Sequence, residues 1–250
     1  MQLNLVFFAV AIPAVMIAGI AKGGFGGAAA FVATPILALV LEPALALGLM
    51  LPMLMMMDVA ALKVYWRAWH GPSARVMILG AVPGILLGAA LYRATDPDVL
   101  RFLIGAVAVG FVAFQLVRRL GWLQPKPAGF SAPKGVGAGF AAGFASFVSH
   151  AGGPPVLMFL LPQQLHKTVF QATTVVIFWA INLIKVVPYA FLGFFTAETL
   201  LANALLAPVA FFGVWVGVKA HRVVPETAFY ALTYVLLLAA GGRLIWVAVS

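Results

Sequence analysis

Nearly charge-free apolar runs recur along this chain from Leu3 to Val249. Most are close to the ~20 residues that an α-helix needs to cross about 30 Å of hydrocarbon. A membrane barrel would instead alternate apolar and polar residues in segments of ~10. Hydrophobic residues make up 64% of the 250 and charged ones 8%, too little polar surface to cover a water-soluble globule of this length. The expected fold class is therefore all-α, a polytopic membrane helical bundle in contact with lipid.

The first run, Leu3 to Ala21, has no basic n-region and no small-residue cleavage motif, so it is read as mature structure and not as a secretory signal. The chain has no cysteine, which leaves no disulfide framework and no cysteine-based metal or redox centre. No metal or other cofactor is expected. The methionines, Met53 and Met55 to Met57 among them, suit adaptable packing, because no methionine series converges with His or Cys. The formal net charge of +9 reports topology before it reports partners, and nucleic acid is not an expected partner.

Breaks at Pro, Gly and charge divide the chain into segments near Leu3 to Ala21, Ala28 to Leu41, Pro43 to Trp66, Ala74 to Tyr92 and Val99 to Arg118. A second set follows near Lys134 to Val148, Pro155 to Pro162, Thr168 to Leu192, Ala197 to Val218 and Glu226 to Val249. The stretch "RRLGWLQPKPAGFSAPK" between the sets is the only polar linker of any length. Basic residues sort onto alternate connections: Lys63, Arg67 and Arg75; Arg118, Arg119, Lys126 and Lys134; Lys167; Lys219 and Arg222. The opposite connections keep Arg93, Arg101 and Arg243 and gather Glu42, Asp96, Asp98 and Glu198. The excess of Lys and Arg belongs on the cytoplasmic side, which puts both termini on the non-cytoplasmic side.

A shift of 125 residues superposes Gly27 on Gly152, Pro83 on Pro208, Gly88 on Gly213 and Arg118 on Arg243. The matched order of landmarks predicts two repeats, residues 1–125 and 126–250, within one membrane domain. Each half holds five segments, an odd number, so the second half enters the membrane in the opposite sense. Inverted repeats of this kind are a signature of secondary transporters.

Each half opens with a pair of segments whose second arm is short, about fourteen residues from Ala28 and about eight from Pro155, below the length of a full span. These read as glycine-rich broken or re-entrant hairpins with tips "KGGFGG" and "SHAGGPP". The chain then crosses either as ten spans or as eight spans plus two hairpins. Irregular backbone at membrane depth is tolerated only where protein or a wet cavity surrounds it. A helix that starts just after a glycine turn offers free N–H groups and a positive dipole end, which favours an anion. Lys22, Gly23, Gly24, Gly26 and Gly27 at the first tip, and Gly152 and Gly153 at the second, are therefore candidate anion-binding residues. Close helix packing is the other use of such glycines.

Intramembrane polar residues are few. Asn182 and Lys185 lie three apart on one face of the eighth segment, as an amide donor and a charge for an anion; Lys185 lies about 9 Å from the predicted outer end, within partial reach of snorkelling. Asp58 is the one acid away from the ends of the predicted spans, placed for gating or coupling or for a structural ion pair with Lys22 or Lys185. His70 is either an interfacial loop residue or an assistant in proton transfer. Ser149 and His150 are anion donors or caps of the broken helix.

The stretch "GIAKGGFGGAAAFVATPIL", the "D...R..H" pattern from Asp58 to His70 and "ATTVVIFWAINLIKVVPYAFLG" resemble the sulfite exporter TauE/SafE family, also called the toluene sulfonate uptake permeases. The resemblance covers nearly the whole chain and implies transport of small sulfur-containing anions such as sulfite, thiosulfate, sulfoacetate, sulfolactate or aromatic sulfonates. By motif it carries over Lys22 to Gly27, Asp58, His70, Gly152, Gly153, Pro154, Asn182 and Lys185. The tip "SHAGGPP" departs in having no lysine to match Lys22. The expected protein is a non-enzymatic secondary exporter in a bacterial cytoplasmic (inner) membrane, with a homodimer as one open quaternary state. Two competing classes are an anion channel and an intramembrane serine hydrolase built on Ser146, Ser149 and His150. Ser149 and His150 are neighbours on the chain and face different directions on a helix, which counts against the hydrolase.

Overall fold

The computed structural model describes residues 3–25, 27, 29–122, 126–220 and 224–250. Among them ten α-helices follow one another: α1 (Leu5–Gly24), α2 (Ala33–Leu37), α3 (Pro43–Val64), α4 (Gly71–Ala94), α5 (Pro97–Arg119), α6 (Ala132–Ser149), α7 (Gly153–Leu160), α8 (Lys167–Phe191), α9 (Ala197–Ala220) and α10 (Glu226–Val249). Seven of these, α1, α3, α4, α5, α8, α9 and α10, are long and apolar enough to cross a membrane, and the protein is a multi-pass membrane protein.

Local chemistry sets the starts. Helices α3 to α7 each carry proline in their first turn, where the missing N–H has no intrahelical partner to lose: Pro43, Pro72, Pro97, Pro133 and Pro154. At α1 the Asn4 side chain accepts from Phe7 N at 2.9 Å, capping an otherwise orphan donor.

The second arm of the first hairpin departs from the expected helix. Ala28, its expected start, lies outside the described residues. A three-residue 3₁₀ turn, Ala30–Val32, leads into the five-residue α2, and the chain turns again before Leu41. Pro35 explains the break: its ring meets the carbonyl four residues back, so an α-helix cannot run from Phe31 through Pro35 undisturbed. So short a helix has no dipole end of the kind expected at Ala28. The corresponding arm in the second half keeps the expected form, the eight residues of α7 followed by a 3₁₀ turn at Leu161–Gln163.

Three helix pairs make the most extensive contacts: α1 with α9, α4 with α6, and α5 with α10. In chain order the first helix of each half lies on the fourth of the other, and the two fifth helices lie on each other. Small residues spaced four apart allow this approach. A Cβ on Gly23 or Gly24 would collide with the backbone carbonyls of Val214 or Gly217 on α9, and one on Gly84 or Gly143 with those of Phe140 or Ala81 across the α4–α6 seam. With no hydrophobic drive between helices in lipid, such backbone contact supplies the packing energy.

Three of the basic connections meet at one end of the bundle. His70, capping the start of α4, donates its backbone N–H to Thr173 of α8 at 2.9 Å; Ser73 Oγ donates to Gln163 Oε1 at 2.8 Å; and Ala128 N donates to Pro162 O at 2.9 Å. These bonds bring the α3–α4, α5–α6 and α7–α8 connections together. At the other end Tyr92 packs on Phe194 with ring centroids 4.6 Å apart, joining the end of α4 to the α8–α9 connection. Arg222 lies outside the described residues.

Candidate functional site

Two helix breaks and two helices converge on one buried polar cluster. Helix α1 stops at Gly24, and the chain closes over its end through Phe25 N and Gly27 N, both donating to Ala21 O at 3.0 Å. Gly27 has φ +71°, and its missing side chain makes room for the Lys22 stem, whose Cδ would lie 3.1 Å from a Cβ there. The break thus folds Lys22 back into the protein. Helix α6 stops at Ser149, with His150 in the left-handed region at φ 59° as its cap. Histidine tolerates that region less readily than glycine, so a side chain is kept there at some local strain.

That side chain is bonded at both nitrogens. His150 Nε2 lies 3.2 Å from Leu47 O and therefore carries the proton, which leaves Nδ1 to accept from Lys185 Nζ at 2.7 Å. Lys185 Nζ also donates to Ser146 O at 3.0 Å, so the ammonium caps the carbonyl end of α6, where the helix dipole favours a cation. One turn on, Tyr189 Oη donates to Phe147 O at 2.6 Å. Phe178, Asn182, Lys185 and Tyr189, spaced four, three and four, form one stripe on α8.

The other half of the cluster is an ion pair between Lys22 Nζ and Asp58 Oδ1, with Asn182 Nδ2 donating to Asp58 Oδ2 at 2.9 Å. Asp58 and Lys185 are fully buried, and the Lys22 side chain is 11% exposed. Two lysines therefore face one carboxylate. Buried charge without a matching countercharge is costly, and Lys185 has only a carbonyl and a neutral imidazole as partners in these bonds.

Beside the cluster lies a small cavity of about 20 Å³ walled by Lys22, Gly27, Ser146, His150, Gly153 and Asn182 with apolar neighbours. It has room for about one water. A second cavity of about 530 Å³ lies alongside it, bounded by Arg118 and Arg119 of α5, Gln171 and Thr174 of α8, and Tyr230 of α10. Gly153 and Phe178 belong to both walls.

The structure thus gathers Lys22, Gly27, Ser146, His150, Gly153 and Asn182 around one space, with Asp58 and Lys185 in direct contact behind it. Lys185 is a layer further in than its expected position as the anion's charge, and its complete burial overturns snorkelling. The Asn182 amide is turned to Asp58. Gly23 and Gly24 face α9, and a Cβ on Gly152 would lie 3.0 Å from Ala142 O of α6. Ser149 Oγ donates to Ala145 O at 3.1 Å within its helix, neither capping the break nor meeting His150. His70 belongs to a separate group with Ser73, Gln163 and Thr173, at the end of the bundle. Gly26 lies outside the described residues. Sequence reading missed Phe178, although its place four residues before Asn182 put it on the same helical face.

No curated protein and no solved structure matches this chain. A family model, sulfite exporter TauE/SafE, matches residues 11–244. A match across nearly the whole chain, on a multi-pass helical bundle with a cation-rich buried cluster between two broken helices, identifies the protein as a membrane transporter of the sulfite exporter TauE/SafE family.

Proposed function

We propose that the protein exports a small sulfur-containing oxyanion, sulfite or an organosulfonate, across the bacterial cytoplasmic membrane by alternating access. The observation that carries this reading is the excess of lysine over carboxylate in the buried cluster, Lys22 and Lys185 against Asp58, next to a cavity to which residues of both helix breaks contribute. An oxyanion drawn to Lys22 from the 530 Å³ vestibule would complete the charge balance, with His150, Asn182 and the Gly153 backbone as neighbours.

The two halves, 1–125 and 126–250, act in this proposal as inverted repeats rocking about the cluster. The exchange of partners between halves, α1 on α9 and α6 on α4, supports it. The narrowness of the inner cavity favours a carrier over a continuous channel. The gathering of basic connections at one end supports a cytoplasmic vestibule, and with it termini on the opposite side. An anion leaving a cytoplasm at negative potential gains about 2.3 kcal/mol per charge for each ~100 mV, so export needs no coupling ion. Asp58 then serves to hold Lys22 in the empty carrier.

Liposomes loaded with radiolabelled sulfite or an organosulfonate test this. An imposed inside-negative potential should accelerate efflux, Lys22→Gln should abolish it, and Asp58→Asn should leave the response to potential in place. Accumulation driven by a pH gradient at zero potential, lost in Asp58→Asn, would replace this mechanism with proton coupling.

A further inference from the structure

We infer that Phe178 is the inner gate of this carrier, the side chain that closes the buried anion site against the vestibule. Among the described residues the walls of the two cavities have only Gly153 and Phe178 in common. Gly153 has no side chain, so the Phe178 ring is the partition. On one side of it lies about 530 Å³ of space between α5, α7, α8 and α10; on the other lie about 20 Å³ beside Lys22 and His150.

Three contacts define the closed position. The ring stands 5.5 Å from the Lys22 ammonium, within cation–π range, so the cation that would receive the anion also holds the gate over it. Its edge lies 3.3 Å from where a Cβ on Gly152 would be, so the glycine at the second tip leaves space for the ring. Helix α8 fixes its base, since Asn182 and Lys185 on the same stripe are tied to Asp58, Ser146 O and His150. An oxyanion of one sulfur and three oxygens is larger than the one water that the inner cavity holds. Loading therefore requires the partition to move, and the half-buried ring is the part of the wall that can turn about its own side-chain bonds without breaking those ties.

The inference rests on the transport reading for its purpose, but its test needs no transported anion. The chain has no cysteine, so Ser146→Cys places a single thiol on the inner cavity wall and keeps the backbone carbonyl that Lys185 uses. Oriented vesicles are treated on either face with a membrane-impermeant anionic methanethiosulfonate, and labelling is followed by mass spectrometry. With Phe178 present, labelling should be slow from both faces. Adding Phe178→Ala should speed it roughly tenfold or more from the face bearing the basic connections and leave the other face unchanged, as removal of a one-sided gate requires. Phe178→Trp should stay slow. If the alanine variant loses its monodisperse profile in detergent, Phe178→Leu decides in its place, with a smaller increase on the same face. Fast labelling with Phe178 intact, no increase in the small-side-chain variant, or an equal increase from both faces would overturn the gate. Absence of sulfite efflux from the wild-type protein, with one-sided labelling of the Ser146→Cys variants intact, would instead overturn the transport reading and leave the gate standing.

Discussion

Residues beside two helix breaks, after α1 and after α6, line the same cavity, yet the lysine reaches it differently from each. At the first, Lys22 belongs to the tip, and the third helix of that half supplies a carboxylate, Asp58. At the second, the tip supplies a neutral imidazole and a helix-end carbonyl, and the third helix of that half, α8, supplies the lysine. The Asn182–Asp58 bond joins the two arrangements. The first tip thus carries a lysine paired with a carboxylate, and the second a lysine bonded to a helix-end carbonyl and an imidazole. A common scaffold can place a lysine at one spot from either of its elements, and in the proposed mechanism the excess of lysine over carboxylate is what an anion meets.

Removing one partner should expose that difference. Asp58→Ala leaves Lys22 buried without its countercharge and the Asn182 amide without its acceptor, and should cost about 3 kcal/mol or more in thermal unfolding in detergent. A loss under about 1 kcal/mol would mean that Lys22 escapes to solvent and that the pair is not what holds the first tip.

The glycines separate the tips next. Gly23→Ala drives a methyl into the Val214 carbonyl of α9, a rigid backbone, and should cost about 2 kcal/mol. Gly152→Ala meets Ala142 O at 3.0 Å and the Phe178 ring edge at 3.3 Å, of which the ring can yield, and should cost about half as much. Equal effects would show that packing on α9 is no tighter than packing within the second hairpin.

Lys185→Met should change stability least, by about 1 kcal/mol or less, because the lost bonds to Ser146 O and His150 are offset by relief from burying an amine with no carboxylate partner. A loss as large as that of Asp58→Ala would remove the contrast between the tips, making Lys185 a structural strut.

Much of this arrangement was legible in the sequence. Hydropathy and breakers located the long helices, because what they report is solvent. Each tip was legible from glycine at the end of an apolar run, and the face of Asn182 and Lys185 from helical phase. Phase gives the direction of a side chain but not what stands opposite, which is why Asp58 could not be assigned to Lys22 or Lys185 beforehand. For the same reason, Gly23 and Gly24 were open to two readings until α9 was found against them. The first short arm was misread as a helix because its apolar run masked the effect of Pro35 on the preceding turn. The vestibule was invisible because it is built from the ends of α5, α8 and α10, distant in sequence.

Equilibrium binding of radiolabelled sulfite, thiosulfate and a short-chain sulfonate to purified protein, compared between wild type and Lys22→Met, tests the buried cation cluster most directly. Saturable binding of at least one of these anions, weakened about tenfold or more in Lys22→Met with the fold retained, is the predicted result, since that substitution removes the cation on the cavity wall. Undiminished binding by Lys22→Met, or no saturable binding of any of the three by the wild type, would contradict it.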